Sequence, residues 1–388
     1  MRLGFVPGMV AQQFCGAGIL TVISSLDLDE VRRRCRRTLS LNVRPDPAES
    51  LKTLASFAEH LAVPADQYGE VELSRRLETN VCSLLGKEAA LFLPSGKMAQ
   101  MIALRIHAGR AGCARVAMHP RAHFEEYEAH AYQELYNLTA AQWGGYDTVP
   151  TAAELLGLMA EPLGAITVEM PLRRLGCRLL PWQELEVIAG AARKGGVALH
   201  LDGARLWESQ PFYGKPHAEI AGLFDTVYVA FDKGLGALGG GMLAGSSSFI
   251  AEGRIWQRRA GGRMLRSFPY QLSALQALDE RLPRMRAYHD RAKAIAAVLG
   301  PMPGLRVTPS IPEANAFLVT LEGTSGALLQ ARNDIADEHG TWLFEDIVSL
   351  PISGLISFEV TVREGAFALD DNEIEAMVRL LAARAVGE

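Results

Sequence analysis

Three side chains in one stretch have the types and spacing to do chemistry together: Asp202, Arg205 and Lys233. Each follows an apolar run that reads as a strand. Val197 to Leu201 delivers Asp202, Gly203, Ala204 and Arg205; Thr226 to Phe231 delivers Asp232, Lys233 and then glycines. In open parallel sheets, ligands sit outside the carboxyl ends of the strands, so these groups are expected to converge on one crevice. A lysine amine can form a Schiff base with an aldehyde, and an aspartate can keep a heteroaromatic ring nitrogen protonated. Taken singly, each residue has a blander role. A strand-end Asp often caps a turn, and a lysine after an apolar strand is often a solvated surface group. The pairing of the two behind separate strands favours the chemical reading.

The rest of the chain supplies elements that could position them. Ala89 to Leu93 reads as a strand, and Pro94-Ser95-Gly96 turns it into a helix starting near Lys97. Unpaired amides in the first helical turn form an anion site, so Ser95, Gly96 and Lys97 are candidates to hold a phosphate. Ala114 to Met118 is a further strand and leads into H-P-R-A-H-F-E-E-Y-E-A-H, which contains His119, His123, Glu128 and His130. By residue type, His119, His123 and Glu128 could also hold a metal, a reading ranked below a ring-facing role for His123. Ala165 to Glu169 is another strand. Gly234, Gly236 and Gly239 satisfy the dinucleotide pattern G-x-G-x-x-G, but that motif must open a helix. Here it meets G-G-M-L-A-G, which reads as a strand, so the glycines are taken as a tight backbone beside Lys233.

At 388 residues the chain is long enough for two domains, and 49% hydrophobic with 21% charged residues provides an ample core. The expected division is an extension and arm over 1–47, a large α/β domain over 48–299 and a smaller α+β domain over 300–388. A net charge of −5 gives no electrostatic reason to expect nucleic acid. The five cysteines are scattered, with no C-x-x-C pair, as expected for reduced thiols in a cytosol. Leu3 to Ser25 is apolar but interrupted by Gln12 and Gln13, too broken for a spanning helix, so no membrane role is expected. Tyr270 to Val298 reads as one long helical stretch.

H-L-D-G-A-R at His200 to Arg205, with K-G-L-G at Lys233 to Gly236, resembles the low-specificity threonine aldolases. These belong to the aromatic amino acid β-eliminating lyase/threonine aldolase group of fold-type I pyridoxal-phosphate enzymes. D-Q-Y-G-E at Asp66 to Glu70 and the phosphate loop at Ser95 to Lys97 extend the likeness, which covers roughly Ala65 to Gly262. The resemblance implies a mostly parallel sheet flanked by helices and pyridoxal 5'-phosphate as cofactor. It also implies a small amino acid as substrate and a homodimer or homotetramer. By the same resemblance Lys233 carries the cofactor, Asp202 holds its ring nitrogen, and His123 stacks on the ring with Glu128 behind it. Ser95, Gly96 and Lys97 hold the phosphate, and Arg205, aided by Ser40, binds the substrate carboxylate.

The sequence departs from the family in three places. The family's loop histidine falls on Leu172. The arginine that reaches a neighbouring subunit's phosphate becomes Leu265, with Arg263 and Arg266 nearby. The family's C-terminal R-x-V-T-H has no counterpart, Arg363 being out of register. The expected reaction is Cα–Cβ cleavage of a 3-hydroxy amino acid to glycine and an aldehyde. β-Elimination or other Cα–H chemistry is the alternative. Behind these stand a nicotinamide-dependent oxidoreductase and a non-catalytic cofactor-binding protein.

Overall fold

Short runs of apolar, small and β-branched residues, punctuated by glycine and proline, set the strands. The computed structural model describes residues 25–43, 46–61, 72–345, 347–350 and 352–386. Seven runs pair into one sheet: β1 (Ala89–Leu93), β2 (Arg115–Met118), β3 (Thr139–Gln142), β4 (Ala165–Glu169), β5 (Leu199–Gly203), β6 (Thr226–Ala230) and β7 (Gly241–Gly245). Their order is β1-β7-β6-β5-β4-β2-β3. β7 runs antiparallel to both neighbours; the other six share one direction. Parallel neighbours need crossovers, and the helices in those crossovers cover the sheet. That is why every residue of β5, β6 and β7 is buried.

The covering helices include α1 (Glu72–Leu85), α2 (Gly96–Ala111), α3 (Trp182–Gly195), α4 (Leu206–Tyr213) and α5 (Ser247–Arg259). α2 is buried along most of its length. It starts at Ser95, whose Oγ accepts from Met98 N, and stops at Gly112, which adopts a left-handed conformation. The long helix expected from Tyr270 to Val298 is broken into α6 (Phe268–Arg281) and α7 (Met285–Leu299) by a tight turn at Leu282–Arg284. Pro283 lies in that turn; it has no N–H to donate to the preceding turn.

A second, antiparallel sheet of β8 (Arg306–Thr308), β9 (Ala316–Glu322), β10 (Ile347–Ser349) and β11 (Leu355–Thr361) has the order β10-β11-β9-β8. α8 (Ser325–His339) and α9 (Asp371–Val386) belong to the same region. Its core joins Phe317, Val319, Phe358 and Val360 to Ile335 and Leu381. Ala292, Ile295 and Leu299 of α7, and Leu39, also enter it, so side chains from both sides of residue 300 share this core. The larger core lies under the seven-stranded sheet and includes Leu201, Trp207, Val229 and Phe231. No helix among the described residues is long and apolar enough to cross a membrane. The apolar N-terminal stretch up to residue 24 and the segment Asp66 to Glu70 lie outside the described residues.

Candidate active site

β4, β5 and β6 end side by side, with Glu169 opposite Asp202 and Asp202 opposite Tyr228. The second key strand starts where the sequence suggests, at Thr226. The first is shifted, running Leu199–Gly203, so Asp202 is the penultimate strand residue rather than part of the turn. At these carboxyl ends a cleft of about 430 Å³ opens. Its wall contains Ser95, Gly96, Lys97, His123, Asp202, Arg205 and Lys233, together with Gln100, Tyr127, Glu128, Glu169, Tyr228 and Asp232. Residues from four separate stretches, 95–97, 123, 202–205 and 233, are thus brought to one place.

Each is held by a specific device. Ser95 caps α2, leaving the first-turn amides at the cleft. Gly96 must lack a side chain, because a Cβ there would lie 1.9 Å from the Tyr228 hydroxyl. Lys97 Nζ donates to the Tyr127 carbonyl at 3.2 Å. His123 donates its backbone N–H to Glu169 at 2.9 Å, and its Nδ1 lies 2.8 Å from Glu128 Oε1. The His123 ring also packs against Tyr127, with ring centroids 5.0 Å apart. Lys233 Nζ donates to Asp232 Oδ2 at 2.9 Å.

The glycine loop after Lys233 runs into β7 and opens no helix. Gly234 N donates to the buried Glu208 at 2.7 Å, and a Cβ on Gly234 would overlap that carboxylate. Arg281 donates to the carbonyls of Leu235 (2.6 Å) and Gly236 (2.9 Å).

Asp202 is fully buried. Ala204 N–H donates to it at 3.2 Å, yet it forms no ion pair within 4 Å among the described residues. Burial raises its pKa; His123, the Ala204 N–H and the Gln100 side chain pull it back down. Glu169 is raised further, chiefly by burial and then by the Asp202 charge. Two neighbouring carboxylates do not both ionise readily; burial and the Asp202 charge favour the proton on Glu169, against the His123 and Arg173 N–H groups that pull its pKa back down. Its pKa is pushed up to about 8. A raised carboxyl pKa means that folding binds a proton. The stabilisation from that proton is complete below the unfolded value and is lost as pH rises through 8. Glu169→Gln imitates the protonated form. The variant apoprotein is therefore expected to be more stable than wild type above pH ~8, by roughly 1–3 kcal/mol, with the gap closing toward pH ~5. Urea unfolding across that range measures this; a gap that grows as pH falls refutes it.

One expectation comes out differently. Ser40 is buried outside the cleft wall, and its Oγ accepts from Thr361 N at 2.9 Å, so the structure gives it a backbone-bracing position rather than a substrate-facing one. His119 is also spent structurally: one ring nitrogen bonds the Thr148 carbonyl and the other accepts from Arg121 N. Leu172 is buried in the large core, while its neighbour Arg173 lines the cleft and pairs with Glu359 at 2.8 Å. Arg263 lies in a separate cleft with Arg254 and Arg258, and Leu265 is exposed.

Sequence reasoning missed Tyr228, Gln100 and Glu169, and set Arg363 aside as out of register. Tyr228 has a readable signal, a phenol in an otherwise aliphatic strand just before the lysine. Arg363 is buried near Arg205 and Glu208, with an Nε that has no hydrogen-bond partner among the described residues.

The residues present fit pyridoxal phosphate. A buried carboxylate with no counter-cation suits a pyridinium N–H. The amides at Gly96 and Lys97 suit a phosphate. Arg205 Nη1 is buried without a hydrogen-bond partner among the described residues, which leaves a donor for an anion at the cleft wall.

The comparisons agree with this geometry. The model for β-eliminating lyases matches residues 52–322, and the chain belongs to that family. It is 30% identical over 325 residues to low-specificity L-threonine aldolase 1 of Arabidopsis thaliana, an alignment spanning 78% of this chain and 87% of that protein. A solved structure of a candidate L-allo-threonine aldolase from Listeria monocytogenes EGD-E superposes with TM-score 0.85 at 34% identity, covering 92% of this chain and 98% of that one. A candidate aromatic amino acid β-eliminating lyase/threonine aldolase from Exiguobacterium sp. 255-15 gives TM-score 0.85 at 32% identity, covering 92% and 99%. The architecture is that of the fold-type I enzymes, a mostly parallel sheet between helices with a smaller antiparallel domain.

Proposed function

We propose that the protein is a pyridoxal-phosphate-dependent lyase that splits the Cα–Cβ bond of 3-hydroxy amino acids, giving glycine and an aldehyde. The observation that carries this reading is Asp202, buried without an ion pair, sharing one cleft with Lys233. Lys233 would hold the cofactor through Nζ, Asp202 would pair with its ring nitrogen, and His123 would pack against the ring. The amides at Gly96 and Lys97, with the Tyr228 hydroxyl, hold its phosphate. When bound, the group supplies an electron sink for the pair left at Cα when a bond breaks.

The chain's own residues choose the bond. Arg205 would bind the substrate carboxylate and so set which Cα bond is presented for cleavage. His123 donates Nδ1–H to Glu128, which leaves Nε2 as an acceptor for the β-hydroxyl proton, directly or through a water. A second reading, abstraction of the Cα proton by Lys233 followed by β-elimination, is favoured by Leu172, since the loop after β4 presents no histidine to the hydroxyl. The setting we expect is a cytosolic homodimer or homotetramer, testable by light scattering.

A panel of threonine, allo-threonine and phenylserine decides the reaction. Glycine plus aldehyde in equal amounts is the expected product set. Ammonia plus a keto acid would replace it with elimination. A colourless protein that binds NADH would overturn the cofactor assignment.

A further inference from the structure

Behind Asp202 a line of buried polar groups runs through the sheet toward its opposite end. Gln100 of α2 lines the cleft together with Asp202, and its side chain stabilises that carboxylate. Gln100 Oε1 lies 2.7 Å from His200 Nε2. His200 Nδ1 lies 2.8 Å from Thr226 Oγ1, which is also 2.8 Å from His107 Nε2. His107 and Thr226 then border a different cleft, of about 530 Å³, with Arg110, Arg193 and Asp225. Four side chains so placed among apolar neighbours need a reason, because buried polar groups are costly unless each is satisfied.

The valences fix a direction. Thr226 has one hydroxyl proton and contacts two ring nitrogens, so it donates to one histidine and accepts from the other. A carboxylate at Asp202 only accepts, so Gln100 must turn its NH₂ to Asp202 and its carbonyl to His200. His200 then carries its proton on Nε2 and accepts from Thr226 at Nδ1. Thr226 accepts in turn from His107 Nε2–H. Every donor in the line points toward Asp202. The reverse direction would aim the Gln100 carbonyl at the carboxylate, and only a protonated Asp202 tolerates that. Burial keeps both rings neutral, pushing His200 down to about 3 and His107 to about 4, so each serves as one donor and one acceptor.

We propose that Gln100, His200, Thr226 and His107 form a one-way hydrogen-bond relay of positioning residues. The relay holds Asp202 as an ionised acceptor aimed at the cofactor's ring nitrogen. It thereby links the electron demand of that ring to a histidine at the far side of the sheet. This rests on pyridoxal phosphate being the group bound at Asp202.

The test has one arm without cofactor and one with it. In the apoprotein, ¹⁵N NMR of the histidines should show both His107 and His200 protonated at Nε2 and bare at Nδ1. With cofactor labelled at its ring nitrogen, wild type should show a protonated ring. Thr226→Val, nearly the same volume and distant from the ring, should move that resonance toward the unprotonated position. It should also weaken cofactor binding about fivefold, the scale of one hydrogen bond. His107→Phe should do the same while keeping the ring contact with Phe249, whose centroid lies 4.7 Å away. His107→Gln, which restores a donor at the Nε2 position, should recover the wild-type resonance. Protonation of His200 at Nδ1 overturns the relay, as does a ring resonance and affinity unchanged in both Thr226→Val and His107→Phe. If wild type takes up no pyridoxal phosphate, the proposed function fails, while the tautomer measurement still decides the relay.

Discussion

Lys233→Ala is expected to give a colourless protein that still folds and still binds pyridoxal phosphate loosely, with lyase activity down on the order of 10³-fold or more. Lys233 lies in the cleft wall, and its partner there, Asp232, is half-exposed and shares the charge with water. Nothing in either core depends on the side chain, so melting should change little. Loss of the yellow colour with the melting temperature kept within a few degrees is the signature. A variant that stays yellow places the covalent bond elsewhere, and one that unfolds makes the lysine structural.

The second large effect belongs to Asp202. Asp202→Asn keeps the shape and the Ala204 contact but removes the charge. The ring nitrogen then loses the partner that keeps it protonated, and turnover should fall about 10³-fold, comparable to deleting a group aimed at charge in a water-poor site. Colour should survive, because Lys233 is untouched. The apoprotein should be at least as stable as wild type, since a buried carboxylate without an ion pair is replaced by a neutral amide. Absorbance, turnover and urea unfolding on one preparation separate the three statements. Full turnover with Asn at 202 would remove the aspartate from the chemistry.

Much of this arrangement was legible in sequence, for a physical reason. β4, β5 and β6 are short, mostly apolar runs that end in small or charged residues, and buried parallel strands look like that. Their turns carry the residues that face the cleft, so strand ends and candidate chemistry are read together. Gln100 and Glu169 were harder. Gln100 lies on a helix buried nearly all round, and one amide in such a run reads as tolerated polarity. Glu169 closes an apolar strand and looks like a solvent-facing end until β5 is laid beside it. Ser40 illustrates the reverse error: a hydroxyl near a proline-punctuated stretch is equally good at bracing a backbone, and only the pairing with Thr361 separates the two roles. The break at Pro283 was visible but outvoted by the helical periodicity on both sides.

The clamp on the loop after Lys233 has a mechanical consequence. Glu208 grips the following amide, Arg281 grips the next two carbonyls, and Ala237 N ties back to the Phe231 carbonyl at 2.8 Å. The backbone on which the lysine is mounted therefore behaves as a fixed pivot. Whenever the amine lets go of one partner and reaches for another, the travel is confined to the lysine's own methylene arm. Its sweep is limited to the reach of that one side chain.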